Sequence, residues 1–192
     1  MSDFSTFYQF FNQFHQVSEE VMLEYFSLWT EEHYLKRSVI TQAGDIQRDT
    51  YFVLAGMQKS YYLQDGKQHI IAFTYAPSLS GIPESFFMQA PSRYFLESIS
   101  NTRLLKVSYE KHHAMMMEHR GLETLMRKMT ELVLAGVIER HHELMAHDIE
   151  TRFRNFVNRS PHLLNMISQK DLASYLRIDP TNLSKLLNSA KL

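Results

Sequence analysis

Apolar side chains recur at helical spacing near the start of the chain, where Phe4, Phe7, Tyr8, Phe11 and Phe14 form one stripe and Met22, Tyr25, Phe26 and Trp29 a second. Steps of three and four place such side chains on one face of a helix, and Ser18 is a natural N-cap for the second stripe. Two short helices with an aromatic core face are expected. Over residues 38–107 the pattern becomes that of strands: 51–54, 59–63, 69–74 and 102–107 are short β-prone runs, punctuated by Gly44, Gly56 and Gly66. Asp65-Gly66, between YYL and HIIAF, predicts a hairpin, because a two-residue turn needs positive φ and glycine adopts it without steric penalty. The middle of the chain thus reads as an antiparallel barrel or roll.

After Tyr109 a proline-free helical pattern runs to about His147. Within it Leu122, Met126, Met129, Val133, Gly136 and Arg140 alternate steps of four and three, the seam of a two-helix coiled coil. Gly136 would permit close backbone approach at about 1 kcal/mol of helix propensity. A homodimer is the inference; the alternative is a stripe that packs on the roll, since Arg140 and two methionines make a poor zipper. Residues 149–160 predict a further short helix with Phe153, Phe156 and Val157 inward, ended by Pro161.

The final stretch, ISQKDLASYLRIDPTNLSKLLNSAKL, carries most of the functional information. Ser168 with Asp171 resembles a capping box and opens a helix that buries Leu172, Ala173 and Leu176. Arg177-Ile178 turns the chain. Asp179 as N-cap and Pro180 as first residue start a second helix that buries Leu183, Leu186 and Leu187. Two short helices across a tight turn form a helix-turn-helix, whose second helix enters the DNA major groove. Thr181, Asn182, Ser184, Lys185 and Asn188 then face base edges, with asparagine suited to adenine and lysine to guanine or phosphate. Gln169 and Lys170 are placed for phosphate contacts at the start of the first helix. The bland alternative is a helical hairpin with a polar face.

Charge supports the DNA reading. Residues 151–192 hold seven Lys or Arg against two Asp or Glu, a formal +5, leaving 13 against 19, a formal −6, for residues 1–150. A basic segment on an acidic chain suits a separate phosphate-contacting module. The 192 residues are 44% hydrophobic, enough for real cores, and contain no cysteine, which excludes disulfides, thiol catalysis and cysteine-ligated metals. Absence of a signal-like N-terminus and of any long apolar run predicts a soluble cytoplasmic protein without a membrane partner. His112-His113, His119, His141-His142 and His147 lack metal-ligand spacing, so no metal is expected. No phosphate loop, GxSxG elbow or paired-acid signature is present, and the chain reads as a non-enzyme.

Taken in order, the aromatic helices, the roll containing YFVLAGMQKSYYLQDGKQHIIAF, the long helix and ISQKDLASYLRIDPTNLSKLL resemble the Crp/Fnr transcription regulators. The resemblance implies an α+β fold: a cyclic nucleotide-binding-like β-roll in a sensor domain at 1–118, a long dimerisation helix at 119–147, and a helix-turn-helix domain at 148–192 with a truncated or absent wing. It implies a homodimer reading a pseudo-palindromic operator, a small-molecule effector and contact with RNA polymerase. In cyclic-AMP binders of the family a Gly-Glu start is followed by Arg-Ser about ten residues later. Here the matching positions are Gly81-Ile82 and Ser92-Arg93, with Glu84 and Arg93 as the nearest substitutes. A one-residue shift on a strand reverses a side chain's direction, so control by a cyclic nucleotide is not expected and no cofactor is assigned. A ligand-binding or protein-interaction module of the same fold that has lost DNA readout is the second reading.

Overall fold

The computed structural model describes residues 3–189; residues 1–2 and 190–192, the latter at the end of the expected helix-turn-helix domain, lie outside the described residues. In chain order the elements are α1 (Asp3–Asn12), α2 (Glu19–Ser27), β1 (Thr30–Tyr34), β2 (Val39–Thr41), β3 (Asp49–Ala55), β4 (Met57–Gln64), β5 (Lys67–Tyr75) and β6 (Ser78–Ser80). There follow α3 (Pro83–Met88), β7 (Phe95–Ser98), β8 (Thr102–Ser108), α4 (Tyr109–Glu118), α5 (Arg120–Ala146), α6 (Ile149–Arg159), α7 (Gln169–Leu176) and α8 (Pro180–Ser189). The strands form two antiparallel four-stranded sheets, ordered β1-β8-β3-β6 and β2-β7-β4-β5. The mixed α+β class and the antiparallel roll agree with the sequence reading.

Four layers result: helices, sheet, sheet, helices. Strand β3 carries an unbroken apolar run at 51–55, and β8 carries Leu104, Leu105 and Val107 around Lys106, because both faces of these strands are covered. Tyr51, Val53 and Leu104 meet Leu96 and Ile82 in one cluster, while Phe52, Leu105 and Val107 meet the N-terminal aromatics in another. That second cluster contains Phe7, Phe11, Met22, Tyr25 and Trp29 with Met115, Leu122 and Leu125 from α4 and α5. Full burial of one such side chain is worth about 2–3 kcal/mol, so α1 and α2 are anchored by aromatics rather than by helix propensity. Ser18 caps α2 by accepting from Val21 N. Both residues of the Asp65-Gly66 turn have positive φ, 52° and 70°, the geometry that matches strand twist. Gly56 bends the chain between β3 and β4 at φ 88°, and a Cβ there would overlap the Asn101 carbonyl.

One expectation is corrected. The single helix from Tyr109 to His147 is two helices, broken at His119, whose extended φ −116° and ψ 98° reset the axis. The His119 carbonyl accepts from Leu122 N at 2.9 Å and Glu123 N at 3.1 Å, starting α5 afresh. Neither proline nor glycine occupies the break.

Candidate nucleic-acid interface and roll interior

Helices α7 and α8 form the expected helix-turn-helix. Ser168 Oγ accepts from Asp171 N at 3.0 Å, and Asp179 Oδ1 accepts from Thr181 N at 2.8 Å, capping both starts. Between them Arg177 adopts φ 52° and ψ 47°, the left-handed conformation that glycine usually supplies. Ile178 N then donates to Ala173 O at 3.0 Å, closing the helix end while Ile178 joins the core. Leu172, Ala173, Leu176 and Leu183 are buried with Phe153 and Phe156 of α6. Gln169, Lys170, Thr181, Asn182, Ser184, Lys185 and Asn188 are all exposed. Thr181, Ser184, Lys185 and Asn188 fall on one face of α8 by their spacing.

The helix-turn-helix is docked on the roll, which the sequence did not announce. Lys59, on β4 with its side chain 8% exposed, donates to Gln68 Oε1 at 2.9 Å and pairs with Asp171 of α7 at 3.3 Å and Glu97 at 3.8 Å. Tyr61 donates to Glu97 at 3.0 Å on the same side. Asp171 therefore turns to the roll instead of completing the capping box. Ser174 Oγ accepts from Ile70 N at 2.9 Å and donates to Gln68 O at 3.1 Å. Tyr175 packs against Phe73 and lies 3.5 Å beneath the Arg140 guanidinium, which also donates to the Tyr175 carbonyl. Met57 is buried in the hydrophobic core of α6, α7 and α8, and Phe73 and Tyr75 pack against that core. One signal was available: Met57, Lys59 and Tyr61 alternate on one face of β4, and a lysine between two large apolar groups on a covered face needs an anionic partner.

Along α5 the predicted seam divides. Leu122 is corrected: it is fully buried in its own chain, and Met126 and Met129 pack against the same aromatic cluster. Val133 and Gly136 are exposed, while Arg140 is engaged by Tyr175. Free apolar side chains gather at Leu132, Val133, Leu134, Val137 and Ile138, all more than half exposed, with Met145 exposed further along.

Around α3 the five sensor candidates separate. Ile82 and Ser92 are buried; Glu84 and Arg93 lie outside, with side chains 45% and 82% exposed and their charged atoms 3.9 Å apart. Burial raises the Glu84 pKa, with Arg93 acting against it. Gln47, which sequence reasoning passed over, organises the inner side. Its Oε1 accepts from Ile82 N at 2.8 Å and from Thr41 Oγ1 at 3.0 Å, and its backbone N–H donates to Ser85 Oγ at 2.9 Å. A Cβ on Gly81 would overlap the Gln47 amide, so glycine makes room for it. Ser92 closes on its own loop, donating to Tyr94 O and accepting from Tyr94 N.

Among the histidines, His119 Nε2 lies 3.4 Å from a Glu24 carboxylate oxygen, with Glu118 close by and both glutamates exposed. No helix among the described residues is long and apolar enough to cross a membrane.

Residues 31–119 match the family described as cyclic nucleotide-binding domain. No curated protein matches the sequence. Among solved structures, FixK2 from Bradyrhizobium japonicum is similar at TM-score 0.74 and 21% identity, covering 83% of both chains. A CooA variant from Carboxydothermus hydrogenoformans gives TM-score 0.70 at 16% identity over 92% of this chain and 80% of its own. The c-di-GMP responsive global regulator CLP from Xanthomonas campestris gives 0.66 at 14% identity over 89% and 90%. The sequence match and the shared architecture together identify a chain with the fold of the Crp/Fnr transcription regulators, whose residues 31–119 are similar to cyclic nucleotide-binding domains.

Proposed function

We propose that the protein is a DNA-binding transcription regulator, not an enzyme, acting as a homodimer in which each α8 reads one half of a pseudo-palindromic operator. The observation that carries this is the open reading face of α8: Thr181, Ser184, Lys185 and Asn188 line it, with Asn182 exposed beside it, on a capped helix within the basic end of the chain. The exposed apolar stripe 132–138 on α5 supports pairing with a second copy. Half-sites one helical turn apart, about 34 Å, are expected.

The roll supports an input other than a cyclic nucleotide. The Ile82 amide that would meet a ligand phosphate already donates to Gln47, Ser92 offers no charge, and Arg93 lies on the outer surface. A bidentate phosphate clamp tolerates little displacement. The effector is then a different small molecule, and RNA polymerase is the further partner of the regulator.

Selection from random DNA with purified protein, at low salt and with or without cell extract as a source of effector, tests the reading. An enriched palindrome is expected; its absence under both conditions refutes DNA reading. Replacing Asn182 or Lys185 by Ala should relax specificity at about 1–3 kcal/mol per lost base contact, whereas Lys170→Ala should lower the salt slope by about 1. Equal effects of all three on selected and random DNA would overturn these roles.

A further inference from the structure

We infer that Asp171 and Ser174 are positioning residues: they fix the reader on the roll, so that a dimer presents its two recognition helices already at operator spacing. The inference rests on the DNA reading above. Three independent contacts carry it, and all meet on one side of the β4–β5 hairpin.

The first is electrostatic. Lys59 is buried within the sheet, and an ammonium stripped of water is strongly unfavourable unless paired. Two of its partners, Gln68 and Glu97, belong to the roll, but the nearer carboxylate is Asp171 of the reader. Undocking would separate that pair. The second is backbone chemistry. Strand β5 is the outer strand of its sheet, so its outward amides and carbonyls have no strand neighbour. Ser174 fills that place for Ile70 N and Gln68 O with a single hydroxyl, which blunts the edge as well as holding α7. The third is Tyr175, placed among Phe73 of the roll, Phe156 of the reader and Arg140 of α5. Roll, reader and the helix with the free apolar stripe are therefore tied at one point.

In this docked arrangement the reading residues of α8, together with Gln169 and Lys170, remain exposed. A docked reader is thus competent for DNA rather than blocked. Holding two readers rigidly removes the ordering penalty of binding two half-sites, whereas readers swinging about the 147–148 junction would engage them as loosely tethered modules.

The test compares two duplexes: the palindrome selected by the unaltered protein and a duplex with one half-site scrambled. Asp171→Ala, Ser174→Ala and the double variant all lie on α7 and leave Lys59 with Gln68 and Glu97. If the docked fraction falls to about a tenth, affinity for the palindrome falls roughly tenfold. Affinity for the single half-site should not weaken, and limited proteolysis should gain cleavage around 147–149. Equal loss on both duplexes means that the reader itself is damaged or that these residues touch DNA, and overturns the inference. So do unchanged palindrome binding in the double variant and tighter binding, which would make the docked state inhibitory. Failure of the unaltered protein to select any DNA is a separate result, which removes the DNA reading before a variant is made.

Discussion

Lowering the pH from about 7.5 to about 5 should remove about 2 kcal/mol of stability through one side chain, His112. His112 sits on α4, 7% exposed, with Nδ1 2.7 Å from the Tyr25 hydroxyl and its ring 5.5 Å from that of Phe86 on α3. Burial first, and the neighbouring His113 second, lower its pKa from 6.5 to about 4. Burial also raises the Tyr25 pKa, so the hydroxyl keeps its proton and shares a hydrogen bond with a neutral imidazole. Because the folded pKa is depressed, the unfolded chain takes up the proton first. The stabilisation is complete above about pH 6.5, shrinks as the pH falls, and is lost below about pH 4, for a total of about 3 kcal/mol. Urea unfolding in half-unit pH steps measures this directly. His112→Gln should be less stable at neutral pH but have a flatter pH dependence, since every other titrating group is common to both proteins. Parallel slopes for the two proteins between about pH 7.5 and about pH 5 would refute the assignment.

Other substitutions probe the frame. Gly56→Ala combines positive φ with overlap on the Asn101 carbonyl and should cost about 3 kcal/mol or more in chemical denaturation; a loss below about 1 kcal/mol would contradict the close approach. Val133→Glu and Val137→Glu lie on the exposed stripe of α5, so light scattering should report monomers while the melting of the roll is retained; persistent dimers would place the interface elsewhere. Gln47→Ala strands the Ile82 amide and the Thr41 hydroxyl, at about 1–3 kcal/mol for each buried group left unpaired. An unchanged melting temperature would show that neither bond matters.

Legibility in the sequence followed how local the determining interaction was. The aromatic stripes of α1 and α2, the Asp65-Gly66 turn and the Asp179-Pro180 start of α8 were all readable, because caps, turns and periodic faces act within a few residues. Strand β1, TEEHY, was not, since it pairs β8 through its backbone and shows no apolar alternation. Strands β6 and β7 and helix α3 are too short to establish a period. The break at His119 has no proline, and Gly121, two residues on, lies within the first turn of α5, so a lone glycine did not place the break. Lys59 and Asp171 lie 112 positions apart, and nothing near either one names the other. Arg140 illustrates the same limit: its spacing suited a dimer seam, but Tyr175 takes it up within the chain.

The aromatic cluster also governs the order in which the chain can be completed. Phe7, Phe11 and Tyr25 are synthesised early, yet their buried neighbours Leu105, Val107, Met115 and Leu122 follow them by some 80 to 115 positions. During synthesis, at about 5–20 residues per second, two helices lined with unburied rings wait several seconds for their core. Contacts this distant in sequence form slowly, because the intervening chain must be ordered before they stabilise anything. Helices α1 and α2 are accordingly expected to reach their final place late, and in the interval their unburied rings are open to contact with other chains.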